Sequence, residues 1–172
     1  AGRKILFKGR EWEVQAVSES AFDGVRVALF SAGSETSRRW APVAASRGAV
    51  VIDNSSAWRM EPDVPLVVPE VNAGDLRRHR GIIANPNCAT IQALVALYPL
   101  HREAALESFS AVTFQSVSGT GSAALEELRE GTCAVLSGAP FEPRVYPRRI
   151  AFNAIPQIGT FDEEGISEEE WK

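Results

Sequence analysis

An α/β chain with a doubly wound parallel sheet is predicted by three features of the sequence. Two short runs, residues 25–30 and 49–52, are almost wholly apolar, as strands covered on both faces require. Between them, residues 35–47 have helical composition, with Gly48 placed to cap the helix. A further buried strand, Gly81-Ile82-Ile83-Ala84, then runs into an amphipathic helix that starts near Cys88.

The elements follow in chain order. Residues 4–7 and 12–17 read as two short strands around a Lys8-Gly9-Arg10 turn. Ser31-Ala32-Gly33-Ser34 leads from the strand at 25–30 into the helix at 35–47. A loop rich in Ser and Pro, residues 53–65, precedes a strand at Leu66-Val67-Val68 and a short polar helix near residues 73–80. Beyond the Cys88 helix the pattern changes. Residues 108–117 read as a longer strand, Ser118-Gly119-Thr120-Gly121 as a tight loop and residues 122–136 as a helix. Residues 137–147 are Pro-rich and irregular, and residues 150–158 read as extended. Ser167-Glu168-Glu169-Glu170 has the spacing of a capping box and starts another helix. There is no internal repeat or low-complexity segment.

A chain of 172 residues can bury about 70% of its unfolded surface, as one domain or as pieces of two. A net charge of -4 and a pI near 5.3 argue against a nucleic-acid partner. No apolar run approaches the roughly 20 residues of a membrane span. Two cysteines fit a reducing cytoplasm better than a disulfide scaffold. Two distant cysteines and two lone histidines show no metal-ligand spacing, so no metal is expected.

Asn85-Pro86-Asn87-Cys88-Ala89-Thr90 sets a cysteine where an apolar strand meets a helix. Pro86 resists helix on its N-terminal side and Asn87 is a good N-cap, so Cys88 belongs in the first turn. Unpaired amides and the positive end of the helix dipole favour thiolate there, which makes Cys88 the candidate nucleophile. Ile91, Leu94, Val95 and Tyr98 fall on one face of the helix. A free cysteine is otherwise a small hydrophobe, and Cys133, in a mixed helical stretch with no such approach, is read as structural or incidental.

Four other segments bear on Cys88. Asp53-Asn54-Ser55-Ser56-Ala57-Trp58-Arg59 leaves the carboxyl end of a strand, where open α/β sheets bind ligands, and Arg59 offers a planar fork for phosphate or carboxylate. Phe114-Gln115-Ser116-Val117-Ser118-Gly119-Thr120-Gly121 ends in small residues that let a flat ring or an anion approach the backbone. Ser31-Ala32-Gly33 has the same character. Glu169 and Lys172, three apart, can present a charge pair.

In this order the segments resemble the aspartate-semialdehyde dehydrogenase family. The resemblance runs through Phe30-Ser31-Ala32-Gly33, Asp53-Asn54-Ser55-Ser56, Val67-Val68-Pro69-Glu70-Val71-Asn72, Asn85-Pro86-Asn87-Cys88-Ala89-Thr90-Ile91-Gln92, Ser118-Gly119 and the run from Ile150-Ala151-Phe152-Asn153 to Ile158. The Asn-Pro-Asn-Cys and Val-Val-Pro-Glu-Val-Asn blocks are specific; the Ser-Gly turn is not. It implies a truncated Rossmann-like NADP-binding domain over residues 1–87, then part of a mixed α+β catalytic and dimerisation domain over residues 88–172.

The resemblance further implies NADPH-dependent reductive dephosphorylation of L-aspartyl 4-phosphate to L-aspartate 4-semialdehyde and phosphate. On that pattern Cys88 attacks the acyl carbon and forms a thioester, which hydride from the nicotinamide reduces. Arg59 matches the phosphate-binding arginine, Lys172 with Glu169 the phosphate-side lysine and its acidic partner, and Gln115 a substrate glutamine. Ser118, Gly119, Ser31 and Gly33 match cofactor positions. A cytoplasmic homodimer or homotetramer in lysine, threonine and methionine biosynthesis is implied, with residues 152–158 near the subunit contact.

Three departures accompany it, one of them the lack of the segment just upstream of Ala1 that would read the 2′-phosphate of NADP. The family's glycine-rich opening loop is missing, as is the later stretch with its substrate arginine and general-base histidine; His79 and His101 lie outside that histidine motif. The 172 residues by themselves are therefore expected to be inactive. N-acetyl-glutamyl-phosphate reductase shares the thioester logic, but typically has glycine before its cysteine and Tyr-Pro after it, against Asn87 and Ala89-Thr90 here. A non-catalytic remnant of the fold is the third reading, opposed by intact Cys88, Arg59, Gln115 and Lys172.

Overall fold

The computed structural model describes residues 1–167 and 169–171. It divides into two compact units, Ala1–Glu107 and Ser108–Lys172.

The first unit opens with an antiparallel hairpin, β1 (Lys4–Phe7) and β2 (Arg10–Glu13), paired from Lys4 with Glu13 to Phe7 with Arg10. Lys8 and Gly9 both take positive φ, the demand of a two-residue turn that matches strand twist. The second strand therefore starts earlier than expected and stops at Glu13, with backbone bonds from Val14 to Arg3 and from Gly2 to Val14 continuing the pairing just beyond it.

The parallel sheet has the order β3 (Val27–Phe30), β4 (Val50–Asp53), β5 (Ile82–Ala84). Helix α1 (Ser34–Ser46) crosses from β3 to β4 and places Ala41 and Ala44, both fully buried, against Phe22, Ala49 and Val51. Small residues on the helix let the larger rings lie around it. Phe22 stacks on Phe30 at 6.1 Å and tilts against Trp40 at 6.2 Å. Buried Ser37 accepts a hydrogen bond from Trp58 Nε1 at 2.9 Å, so its hydroxyl is not orphaned. Coverage of both faces, expected for the 25–30 strand, is corrected at β3: Val27 and Leu29 share one face and are 57% and 78% exposed, while α1 covers the side of Ala28 and Phe30.

The strand expected at Leu66-Val67-Val68 shrinks to one parallel bridge from Leu66 to Ala84. Val68 instead becomes the entry to a single turn, α2 (Pro69–Asn72), because Asn72 Oδ1 accepts the Val68 amide at 2.9 Å. A 3-10 segment, Ala73–Arg78, leads to β5. Helix α3 (Cys88–Ala104) follows; Ile91, Leu94 and Tyr98 are half-buried, but Val95 is exposed, so the expected apolar face is only partly covered. No helix among the described residues is long and apolar enough to cross a membrane.

The second unit corrects two expectations. Residues 108–116 form no strand among the described residues, and Val112 and Phe114 are largely exposed. A strand exists only through hydrogen bonds to a neighbour, and none of the described elements pairs with this run. The extended run expected at 150–158 is broken by a turn in which the Asn153 amide donates to Ile150 at 3.0 Å and Phe152 takes φ 56. The Asn153 side chain bonds Arg149 and Ala154 locally and so stabilises the turn over extension.

Helix α4 (Ser122–Ser137) anchors this unit, and Gly138 ends it in the left-handed conformation. Its buried residues are Ala124, Glu127, Gly131 and Ala134, a stripe of helical spacing with one carboxylate in it. The chain after the helix returns over that stripe. A Cβ at Gly131 would lie 3.2 Å from the Phe141 ring and 3.3 Å from Ala151, so glycine admits the close approach. The expected capping box is formed by half: Glu170 accepts from both the amide and the hydroxyl of Ser167 at 2.7 Å, which holds the Glu170 carboxyl below its usual range. Two sequential amide bonds to the Ser167 carbonyl, from Glu170 and Trp171, start a helical turn there.

Candidate active site

Three loops leave the carboxyl edge of the parallel sheet, and hydrogen bonds tie them into one surface. The Asn54 amide donates to Phe30 and the Asn85 amide to Asp53, each at 2.8 Å, which continues the ladder one residue beyond β4 and β5. Ser34 and Ser56 hydroxyls share a bond of 3.0 Å between the first two loops. Asn85 donates from its side chain to that of Asn54, which joins the second and third.

Arg59 completes this arrangement. Its Nε donates to the Asn85 carbonyl at 2.9 Å and its Nη2 to the Asn54 carbonyl at 3.1 Å. Asp53, the last residue of β4, is fully buried: one carboxylate oxygen accepts from Ser55 Oγ at 2.6 Å, and the other has no partner among the described residues. Asp53, Asn54 and Asn85 lie in the 53–56 and 85–92 segments, where the sequence assigns them no role. An Asp-Asn pair at the end of a buried strand was the available signal.

Cys88 opens α3 and is exposed. Asn87 caps the helix as expected, its Oδ1 accepting from Ala89 at 2.9 Å and Thr90 at 3.2 Å. Pro86 is buried and the chain reaches Asn87 in extended form, so the cysteine sits on a rigid approach. Arg59 is bonded only three residues before it. Cys133 is also exposed, but lies within α4 rather than at its start.

Ser31 is exposed after β3, and Gly33 is the N-cap of α1 with φ +89 and no side-chain cap. In the second unit, Gln115 Nε2 donates to Glu169 Oε1 at 2.7 Å, which joins two of the expected substrate residues across 54 positions of sequence. Lys172 lies outside the described residues. Ser118 and Gly119 fall in a 3-10 turn, Val117–Thr120, where Ser116 Oγ accepts from the Ser118 amide at 3.3 Å and from the Ser118 hydroxyl at 3.2 Å.

Two family models match this chain: the semialdehyde dehydrogenase NAD binding domain over residues 1–79 and the semialdehyde dehydrogenase dimerisation domain over residues 97–172. The chain belongs to the semialdehyde dehydrogenase family. It is 50% identical to the aspartate-semialdehyde dehydrogenases of Aquifex aeolicus, covering 99% of the chain, and of Bacillus subtilis, covering all of it. It spans about half the length of these relatives, 52% in each case. The crystal structure of aspartate semialdehyde dehydrogenase II from Vibrio cholerae complexed with ASA matches with a TM-score of 0.94 and 47% identity, over 99% of this chain and 51% of that one.

A semialdehyde dehydrogenase NAD binding domain implies a nicotinamide cofactor, and the residues present fit one. The first amides of α1 have no side-chain acceptor from Gly33, and the hydroxyls of Ser31 and Ser34 lie on the same loop. That donor set suits phosphate or ribose oxygens. Gly33 is required by its positive φ rather than by crowding, since a Cβ there would meet no atom within 4 Å.

Proposed function

We propose that the full-length protein is an aspartate-semialdehyde dehydrogenase that converts L-aspartyl 4-phosphate to L-aspartate 4-semialdehyde and inorganic phosphate. The observation that carries this reading is an exposed Cys88 at the first position of α3, on a loop fastened by Arg59. Its Sγ attacks the acyl carbon, the bond to the phosphate oxygen breaks, and a thioester remains. NADPH, when bound, supplies the hydride that turns this thioester into aldehyde and releases the sulfur.

Arg59 and Lys172, the latter with Glu169 as its acidic partner, stabilise the departing phosphate, Gln115 orients the substrate, and Ser31, Gly33, Ser118 and Gly119 hold the cofactor. The nicotinamide-binding domain extends to about Asn87, with the catalytic and dimerisation domain beginning at Cys88. The proposed form is a cytoplasmic homodimer or homotetramer serving lysine, threonine and methionine synthesis; the dimerisation-domain match supports an oligomer and the relatives' names the biosynthetic role. The 172 residues by themselves are inactive in this reading.

The test is Cys88→Ser in the full-length protein, with turnover and cofactor binding measured together. Loss of at least a thousandfold in kcat with the cofactor Kd within about twofold agrees with a nucleophile. Retention of turnover would remove Cys88 from the chemistry and sink the thioester route. Rates on aspartyl and N-acetyl-glutamyl phosphates compared side by side separate this activity from the related reductase.

A further inference from the structure

Resting on the assignment of Ser118 and Gly119 to the cofactor, we propose that Glu127 and Tyr146 are positioning residues that brace the cofactor turn from behind. Tyr146 Oη donates to Thr120 Oγ1 at 2.9 Å, at the last residue of the Val117–Thr120 turn. Thr120 immediately follows Gly119, so the phenol holds the end of the turn while Ser116 holds its start.

Tyr146 is itself held. Glu127 is 1% exposed on α4, and its carboxylate accepts three consecutive amides: Arg144 at 2.6 Å, Val145 and, at 3.2 Å, Tyr146. Burial pushes this carboxyl up, but the three amide bonds outweigh it and leave the group below its usual range, ionised at neutral pH. Gly131, one turn further along the same buried stripe, accepts the close approach of Phe141 and Ala151. Between these two supports, the segment that carries Tyr146 is fastened to the helix that begins where the turn ends.

A carboxylate buried among small residues is a costly way to hold a surface loop unless its place is consequential. Here the fastened loop delivers a single side-chain donor to the turn. The chain of contacts runs from Glu127 through the backbone of 144–146 and the Tyr146 ring to Thr120. Its effect is to limit the orientations open to the Ser118 and Gly119 backbone before cofactor arrives.

The experiment uses Tyr146→Phe, Thr120→Val and the double variant in the full-length protein, with Gly119→Val as a control on the turn itself. A Cβ at Gly119 would meet no atom within 4 Å, so the side chain of that control starts in open space. Tyr146→Phe raises the KM for nicotinamide cofactor about three- to tenfold, with kcat and the KM for acyl phosphate within twofold. Thr120→Val does the same, and the double variant is no worse than either single one. If Gly119→Val raises the cofactor KM and Tyr146→Phe does not, or moves every parameter alike, the bracing role is overturned while the cofactor turn stands. If Gly119→Val leaves the cofactor KM unchanged, the turn is not a cofactor site and both readings fall.

Discussion

Arg59 Nε donates to the main-chain oxygen of Asn85 at 2.9 Å, three residues before Cys88. The same guanidinium reaches the Asn54 carbonyl through Nη2, so one side chain fastens the loop after β4 to the loop that delivers the cysteine. A planar fork can hold two carbonyls at fixed angles; a flexible ammonium cannot. Arg59 is thus bound to the backbone of the site as well as being the proposed phosphate ligand.

Arg59→Lys keeps the charge and loses the fork. Hydrogen bonds from a charged donor are worth about 1.5–3 kcal/mol, so the apparent affinity for inorganic phosphate in the full-length protein should fall about tenfold to a hundredfold. Alkylation of Cys88 should change rate in the same variant, because its loop has lost a fastening. Unchanged phosphate affinity together with unchanged alkylation would exclude both roles.

Asn87 satisfies two amides of α3 with one oxygen. Asn87→Ala should lower stability by about 1 kcal/mol, the usual cost of a lost cap, seen as a fall of a few degrees in Tm. The cysteine would then sit on a fraying turn. Protection of the Ala89 and Thr90 amides from hydrogen exchange measures that directly, and equal protection in the variant would contradict it.

Glu127 makes stability depend on acid. Its folded carboxyl lies below the ordinary range because the amides of Arg144, Val145 and Tyr146 outweigh burial. A depressed folded value means that this contribution is complete above the unfolded pKa, near 4.3, and is lost as pH falls through the folded one. Glu127→Gln should therefore flatten the acid limb of the unfolding profile. It should also cost about 1–3 kcal/mol at neutral pH, since one amide side chain cannot accept all three bonds as well. Denaturant unfolding from pH 7 to pH 3 checks both, and parallel profiles for the two proteins would refute the assignment.

Gly81 stands at φ +100 where β5 begins, and a Cβ there would come within 2.8 Å of the Ala45 Cβ on α1. Gly81→Ala should destabilise by about 1–3 kcal/mol through overpacking and backbone strain together. Gly24, at φ +75 with no atom within 4 Å of such a Cβ, isolates the backbone part. A smaller loss at Gly24→Ala than at Gly81→Ala, read from Tm, is the expected order.

Elements whose deciding forces are local are legible in the sequence. Strands β3, β4 and β5 announce themselves by apolar runs, and α1 by its composition and Gly48. Helix α4 runs one residue past its expected end, to Ser137, since its helical composition and the glycine after it suffice to define it. Residues 108–117 and 150–158 have strand-like composition, yet form none, because pairing depends on a neighbour that composition does not specify.

By itself, the sequence determined that a cysteine opens a helix beyond a buried strand: Pro86 bars the helix upstream, Asn87 caps it, and both act within a few residues of Cys88. Only the tertiary structure decided what holds that cysteine's loop, because Asn54, Arg59 and Asn85 meet through backbone carbonyls whose positions follow from the pairing of β4 with β5. The same is true of Glu127, whose three amide partners lie 17 to 19 residues away. Hydrogen bonds between distant segments become predictable only once the chain has closed the loops between them.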